Sequence, residues 1–229
     1  MLLKTIHVKC VVCGEVNEFK DVASVSANGF YDLDMRPPAQ KRDAIIYEVQ
    51  VCKKCFYVNN SIDELIDKRV FEIIKSEKYL TIAKKDINTA AKGYLLLGEI
   101  FKYSDIEVSG WNYLKAAWVF DDLRQYDEAV DARKQAIGYF KQLLGGLEGG
   151  RREQAKAVVV DLLRRTGDFE NAIKLANELL EETKDKKAFV IAAMKTQILL
   201  SKDEDDGCCN MEDVDEILET GQELERAGK

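Results

Sequence analysis

The chain contains a single histidine, His7, and only two prolines, Pro37 and Pro38, in 229 residues. Proline scarcity leaves long helices uninterrupted. None of the usual catalytic signatures is present: no GxSxG elbow, no GxxxxGK phosphate loop and no HExxH zinc helix. The run Gly145 to Gly150 lacks the Lys and Ser or Thr that a phosphate loop requires, and reads as a turn cluster. These absences point to a protein that is not an enzyme. No stretch approaches the ~20 apolar residues needed to cross a bilayer. Lys4, His7, Lys9, Glu15 and Glu18 break up the first 30 residues, so no signal-peptide core is expected there and the expected location is cytoplasmic. Basic patches interleaved with aromatics are also missing. The net charge is −7, with +1 in residues 1–60 and −8 in the remainder. An acidic helical part repels phosphate backbones, which disfavours nucleic acid as its partner.

Cysteine, by contrast, is plentiful. In a reducing compartment, six cysteines are better explained by metal than by disulfides. Cys10-Val-Val-Cys13 and Cys52-Lys-Lys-Cys55 form two CxxC pairs, each beside a β-prone run. Two residues between thiolates allow a tight knuckle to aim both sulfurs at one ion. Two knuckles then complete a tetrahedral four-sulfur site that suits structural zinc. Iron could take the same four ligands, and a CxxC redox dithiol is a further alternative. His7 is expected on a strand rather than as a ligand. Cys208 and Cys209 follow an acidic turn from Lys202 to Gly207 that does not fit a calcium loop, because Lys202 and Asp213 occupy the first and twelfth positions.

The β-prone runs are 5–9, 22–26 and 45–51, with a loop at 29–42 that holds both prolines. In that loop Asp32-Leu-Asp34-Met-Arg36-Pro-Pro38 carries charges beside a rigid diproline, and Arg36 is expected to pair with Asp32 or Asp34 and order the loop over the cysteine module. Ser61-Ile-Asp-Glu64 has the pattern of a capping box. Helices are expected at 61–75, 86–103, 109–124, 127–144, 151–166, 169–182, 185–201 and 211–227. Two hairpins are alike. Tyr113 to Phe120, followed by Gln125-Tyr-Asp-Glu-Ala129, aligns with Lys156 to Leu163, followed by Gly167-Asp-Phe-Glu-Asn-Ala172. Each resembles a tetratricopeptide repeat, with small residues where helices cross and an aromatic wedged before the second helix. The spacing between the two copies exceeds the usual ~34 residues. Trp111, Tyr113, Trp118 and Phe120 are expected in the repeat core.

Cys10-Val-Val-Cys13-Gly14, the Asp32 to Pro38 loop, Tyr47 to Tyr57 around the second cysteine pair, and Tyr113-Leu-Lys-Ala-Ala-Trp-Val-Phe120 together resemble a bacterial and archaeal group of uncharacterised proteins, the domain of unknown function 2225 family. The resemblance implies a zinc-ribbon-like N-terminus and tetratricopeptide-like helices, with no established activity. The chain departs from the usual CPxCGY pattern at the second pair, where Phe56 stands in place of glycine. A bulky residue at positive φ costs roughly 1 kcal/mol or more, so a distorted second knuckle is expected.

The sequence therefore describes an α+β protein. A small β-rich four-cysteine zinc module at 1–60, with metal ligands Cys10, Cys13, Cys52 and Cys55, precedes an all-α tetratricopeptide-like array at 61–229. The expected function is a metal-binding scaffold or adaptor for a protein or peptide partner, with self-association as a further option and no membrane association. The acidic balance favours a basic or apolar peptide. A zinc-ribbon nucleic-acid or transcription-complex binder, resting on Lys9, Arg36, Lys41, Arg42, Lys53 and Lys54, is the first alternative, and a Cys52–Cys55 redox protein the second.

Overall fold

A computed structural model describes residues 1–26, 28–183 and 188–227, with side chains described up to 220. Two short antiparallel hairpins come first. Strand β1 (Leu2–Lys9) pairs with β2 (Val16–Ser24), placing Ile6 opposite Phe19 and Lys9 opposite Val16. The second strand starts earlier than 22–26 because the Cys10–Glu15 turn reverses the chain tightly and pairing resumes at once. After helix α1 (Ala39–Ala44) and a 3₁₀ turn at Ile45–Tyr47, β3 (Gln50–Val51) pairs with β4 (Val58–Asn59). The expected strand at 45–51 is thus a strand only at its end.

The helices follow: α2 (Val70–Ile73), α3 (Glu77–Ala83), α4 (Thr89–Phe101), α5 (Ile106–Asp122), α6 (Tyr126–Leu144), α7 (Gly149–Arg164), α8 (Phe169–Glu182), α9 (Ala188–Lys202) and α10 (Val214–Ala227). This is the α+β arrangement read from the sequence. Local chemistry starts several helices. The Ser76 side chain accepts from the Tyr79 amide, Asn88 accepts from the amides of Ala90 and Ala91, and Asp105 accepts from Val108. The expected helix at 61–75 is corrected. Ser61 Oγ donates to Asp63 rather than capping, and only the four residues of α2 are helical. The backbone there is otherwise engaged: the Ile62 carbonyl accepts from Val11 N at 2.8 Å, and the Glu64 carbonyl accepts from Tyr57 Oη at 2.6 Å. Of the helix expected at 185–201, positions 185–187 lie outside the described residues.

Two compact units result, Met1–Asn28 with Ala39–Tyr139, and Gly29–Pro38 with Phe140–Lys229. They do not coincide with the change from strands to helices near residue 60. In the first unit the β3–β4 hairpin packs on α4. A Cβ on Gly93 would lie 2.7 Å from Val49 Cγ2, so glycine is what allows the helix to close on β3 and its approach. Tyr94 Oη donates to the Ile45 carbonyl at 2.6 Å, and Lys115 on α5 reaches Glu48 at 2.8 Å. Ala129, Ala132 and Ala136 on α6 are buried, as are Tyr113, Trp118 and Phe120 on α5, and Trp111 is half-buried. Tyr126, expected as a wedge between helices, is 64% exposed and fills none.

In the second unit Leu33 joins Val160, Leu179, Met194, Cys209 and Val214 in one apolar core. The Asp32–Pro38 loop therefore belongs to this unit and not to the cysteine module, which corrects its expected position. Asp32 forms a β-bridge with Asn210, and Leu33 N donates to the Cys209 carbonyl at 3.0 Å. Asp34 Oδ2 lies 3.3 Å from Arg165, both groups being buried. Among the described residues no helix is long and apolar enough to cross a membrane.

Candidate metal centre

Each hairpin ends in a cysteine knuckle. Cys10 follows β1 and Cys52 follows β3, so the strand pairing sets both turns in register. The two knuckles make the same bonds. Cys10 N donates to Glu15 O at 2.8 Å and Gly14 N to Cys10 O at 2.8 Å; Cys52 N donates to Tyr57 O at 2.8 Å and Phe56 N to Cys52 O at 3.0 Å. Gly14 has φ 74° and Phe56 has φ 60°. The expected distortion of the second knuckle is absent. Phe56 adopts the left-handed conformation that glycine would take, and Tyr79 Oη fixes it by donating to the Phe56 carbonyl at 2.7 Å.

The four sulfurs of Cys10, Cys13, Cys52 and Cys55 converge, all lying within 4.8 Å of one another. The approaches recorded as close cross between hairpins: Cys10 to Cys55 at 3.7 Å and Cys13 to Cys52 at 3.6 Å. A tetrahedron with metal–sulfur bonds of about 2.3 Å has sulfur–sulfur edges of about 3.8 Å. The cysteines therefore stand at the separation a four-thiolate ion needs, and the site could hold a metal. Cys10 and Cys52 are buried, with Cys13 and Cys55 nearer the surface. The cysteines are all free thiols.

The surroundings favour thiolate at Cys52 alone and oppose it at Cys10 and Cys55. Burial works against ionisation of Cys52, yet the amides of Cys55 and Lys54 and the thiols of Cys13 and Cys55 pull its pKa down to about 7. Burial pushes Cys10 up despite the amides of Cys13 and Val12. Burial also pushes Cys55 up, with Cys13, Cys10 and Cys52 adding to the effect against the Tyr57 amide. Four thiols this close cannot all ionise without a cation, and a bound metal removes that repulsion.

Asn17 ties the two hairpins together and was not singled out from sequence. Its Nδ2 donates to Cys52 Sγ at 3.6 Å and to the Glu15 carbonyl at 3.1 Å, while its Oδ1 accepts from Lys53 N at 2.9 Å. The signal was available, because Asn17 pairs with the buried Val8 on a face where alternation calls for an apolar residue. Tyr79 was likewise missed, sitting on a helix that the sequence reading left out. His7 stays outside the cluster, exposed on β1 with Nε2 3.6 Å from Glu18.

Other candidates fall elsewhere. Asp32, Asp34 and Arg36 are buried structural groups of the second unit. Lys202 ends α9, and Asp203 to Gly207 form an exposed turn after it. Cys208 is exposed at the surface, but its Sγ donates to Asp32 Oδ2 at 3.1 Å, and desolvation by the packed groups around it, with the Asp32 and Asp34 carboxylates, raises its thiol to about 12 against the nearby Arg165 charge. Burial also pushes Cys209 up, to about 11, so neither thiol is activated.

No curated protein and no solved structure matches the chain. A family model described as "Uncharacterized protein conserved in bacteria (DUF2225)" matches residues 3–199, a span that takes in both cysteine knuckles, the Asp32–Pro38 loop and most of the helices, and the chain belongs to that family.

Proposed function

We propose that this chain is a non-catalytic scaffold, in which Cys10, Cys13, Cys52 and Cys55 hold a structural zinc ion and the helices offer a surface to a protein or peptide partner. The observation that carries this reading is the closed four-sulfur geometry. Four cysteine ligands fill a tetrahedral sphere and leave no position for a reactive water. Zinc is preferred over iron because it brings no redox chemistry to a site whose surroundings serve packing. The Phe56 carbonyl is used by Tyr79, Val11 N by Ile62, and Asn17 by Lys53. A metal at this point would hold the two hairpins, the 61–66 segment and α3 in one arrangement, a contribution that so small a β-rich core needs.

The hairpins α5–α6 and α7–α8 are read as tetratricopeptide-like, on the buried small residues Ala129 and Ala172 early in their second helices. A reducing cytoplasm suits the free thiols. The nucleic-acid alternative loses much of its basis. Arg36 is buried, and Lys53 lies 3.3 Å and Lys54 4.0 Å from the single carboxylate of Glu15. The redox alternative requires bonding within Cys52–Cys55, whereas the recorded close sulfurs pair across the hairpins.

Metal removal tests the proposal. Chelation of the purified full chain should lower the unfolding temperature and loosen the first unit, read as new amide exchange in residues 1–66 and α3, with re-addition of zinc restoring protection. A chelated chain as stable and as protected as the loaded one would contradict a structural role.

A further inference from the structure

In the second unit a cavity of about 300 Å³ lies between α7 and α9. Leu33, Val158, Ala193 and Met194 form its buried floor. Its mouth is open: Gly150 and Gln154 are exposed there, and Phe189 is 50% exposed. Three of the chain's four methionines, Met35, Met194 and Met211, line the cavity, and the fourth, Met1, belongs to the first unit. Backbone bonds place two of them. Met211 N donates to the Tyr31 carbonyl at 2.9 Å, and Met35 N to the Asp32 carbonyl at 2.9 Å. Met35 takes φ 68°, a left-handed conformation that is uncommon for any residue with a side chain, and Asp32 N closes the same turn by donating to the Arg36 carbonyl at 2.9 Å. Glu153 and Gln154 are the only polar side chains among the described residues that line the cavity.

From this lining we infer that the cavity binds a small, neutral aromatic molecule of one or two fused rings that carries an N–H donor. The inference goes beyond the scaffold reading and does not depend on it, since the cavity lies wholly in the second unit. An apolar cleft with one or two polar groups at its edge has the make-up of a small-molecule site. Size sets the first limit. An apolar cavity of about 150 Å³ is enough for benzene, so twice that volume suits a second ring. The lining then selects a ring over an alkyl group. Thioether sulfurs make favourable contacts with aromatic rings, methionine adapts its shape to a ligand's outline, and Phe189 adds a ring of its own at the mouth. The donor requirement comes from Glu153. A carboxylate only accepts hydrogen bonds, so a ligand that displaced its water without offering a donor would leave it unmatched.

The test uses the full, metal-loaded chain labelled with carbon-13 at the methionine methyl groups, whose signals read the cavity and Met1 separately. Three probes of similar size are titrated: indole has the ring and the donor, 1-methylindole lacks the donor, and cyclooctanol lacks the aromatic ring. Indole should shift the Met35, Met194 and Met211 signals saturably, at about millimolar affinity or tighter, and leave Met1 unmoved. It should bind about tenfold tighter than 1-methylindole and about threefold tighter than cyclooctanol. Glu153→Leu should bring indole down to the affinity of 1-methylindole. The probe series on the parent protein decides without that variant. Absence of saturable shifts, shifts that Met1 shares, cyclooctanol or 1-methylindole binding as tightly as indole, or a preference for indole that Glu153→Leu leaves intact would each overturn the inference.

Discussion

Tyr79, fully buried on α3, donates its hydroxyl to the carbonyl of Phe56, the residue that closes the second cysteine knuckle in a left-handed conformation. This bond joins the candidate metal site to a helix whose Lys78 also reaches the buried Glu99 carboxylate at 2.6 Å. Tyr79→Phe should cost about 1–3 kcal/mol, since it strands a carbonyl with no other partner among the described residues, and should speed metal loss to a chelator. Thermal unfolding and the rate of chelator-driven release check it. Equal rates for both proteins would mean that the bond does not support the knuckle.

The strain at Phe56 can be isolated by comparing two variants. Phe56→Ala and Phe56→Gly discard nearly the same side chain, but only glycine adopts φ near 60° without penalty. The glycine variant should be the more stable of the two by about 1 kcal/mol in denaturant unfolding.

Asn17→Ala removes a bridge that contacts Cys52 sulfur, Lys53 amide and Glu15 carbonyl together. By analogy with outer-shell partners of metal ligands, affinity for zinc should fall about 10- to 100-fold, measured by competition with a chromophoric chelator.

Glu99 provides a pH signature. Burial would raise its pKa, but hydrogen bonds from Lys102, Lys78 and Tyr113 outweigh burial and hold it below the ordinary value of 4.5. A depressed carboxylate contributes stability that is fully present above its unfolded pKa and disappears as pH falls through the folded one. Glu99→Gln should therefore be less stable than the parent by about 2 kcal/mol near neutrality. That gap should close on acidification below about pH 4.5, as unfolding curves taken across the range would show.

Asp34→Ala tests the placement of the loop. Its carboxylate is buried with Arg165 and also accepts from Arg36 N at 3.0 Å. Removal leaves a buried guanidinium without that partner, and should cost about 3–5 kcal/mol of stability, localised by amide exchange to α7, α9 and the 208–211 segment rather than to the cysteine hairpins.

How far the sequence disclosed this molecule depended on how local the signal was. The cysteine cluster was legible because CxxC spacing encodes a knuckle by itself. Helices α4 to α9 were legible because their apolar period is sustained and turn residues punctuate them. Ser61–Glu64 misled, because a capping box is a local preference and the Ile62 and Glu64 backbone groups were claimed by Val11 and Tyr57, which lie distant in sequence. Phe56 misled differently, since the penalty for positive φ was real but a tertiary hydrogen bond secured the conformation. The place of the Asp32–Pro38 loop depended on partners at Arg165 and Asn210, which no pattern within the loop could announce.

The most direct test of the central claim is elemental analysis of the purified chain combined with thiol titration of the native protein. The account predicts one zinc per chain, at most Cys208 and Cys209 reacting while the protein is folded, and all six cysteines titrating once it is unfolded with chelator present. A chain that carries no metal and exposes four additional rapidly reacting thiols would contradict it.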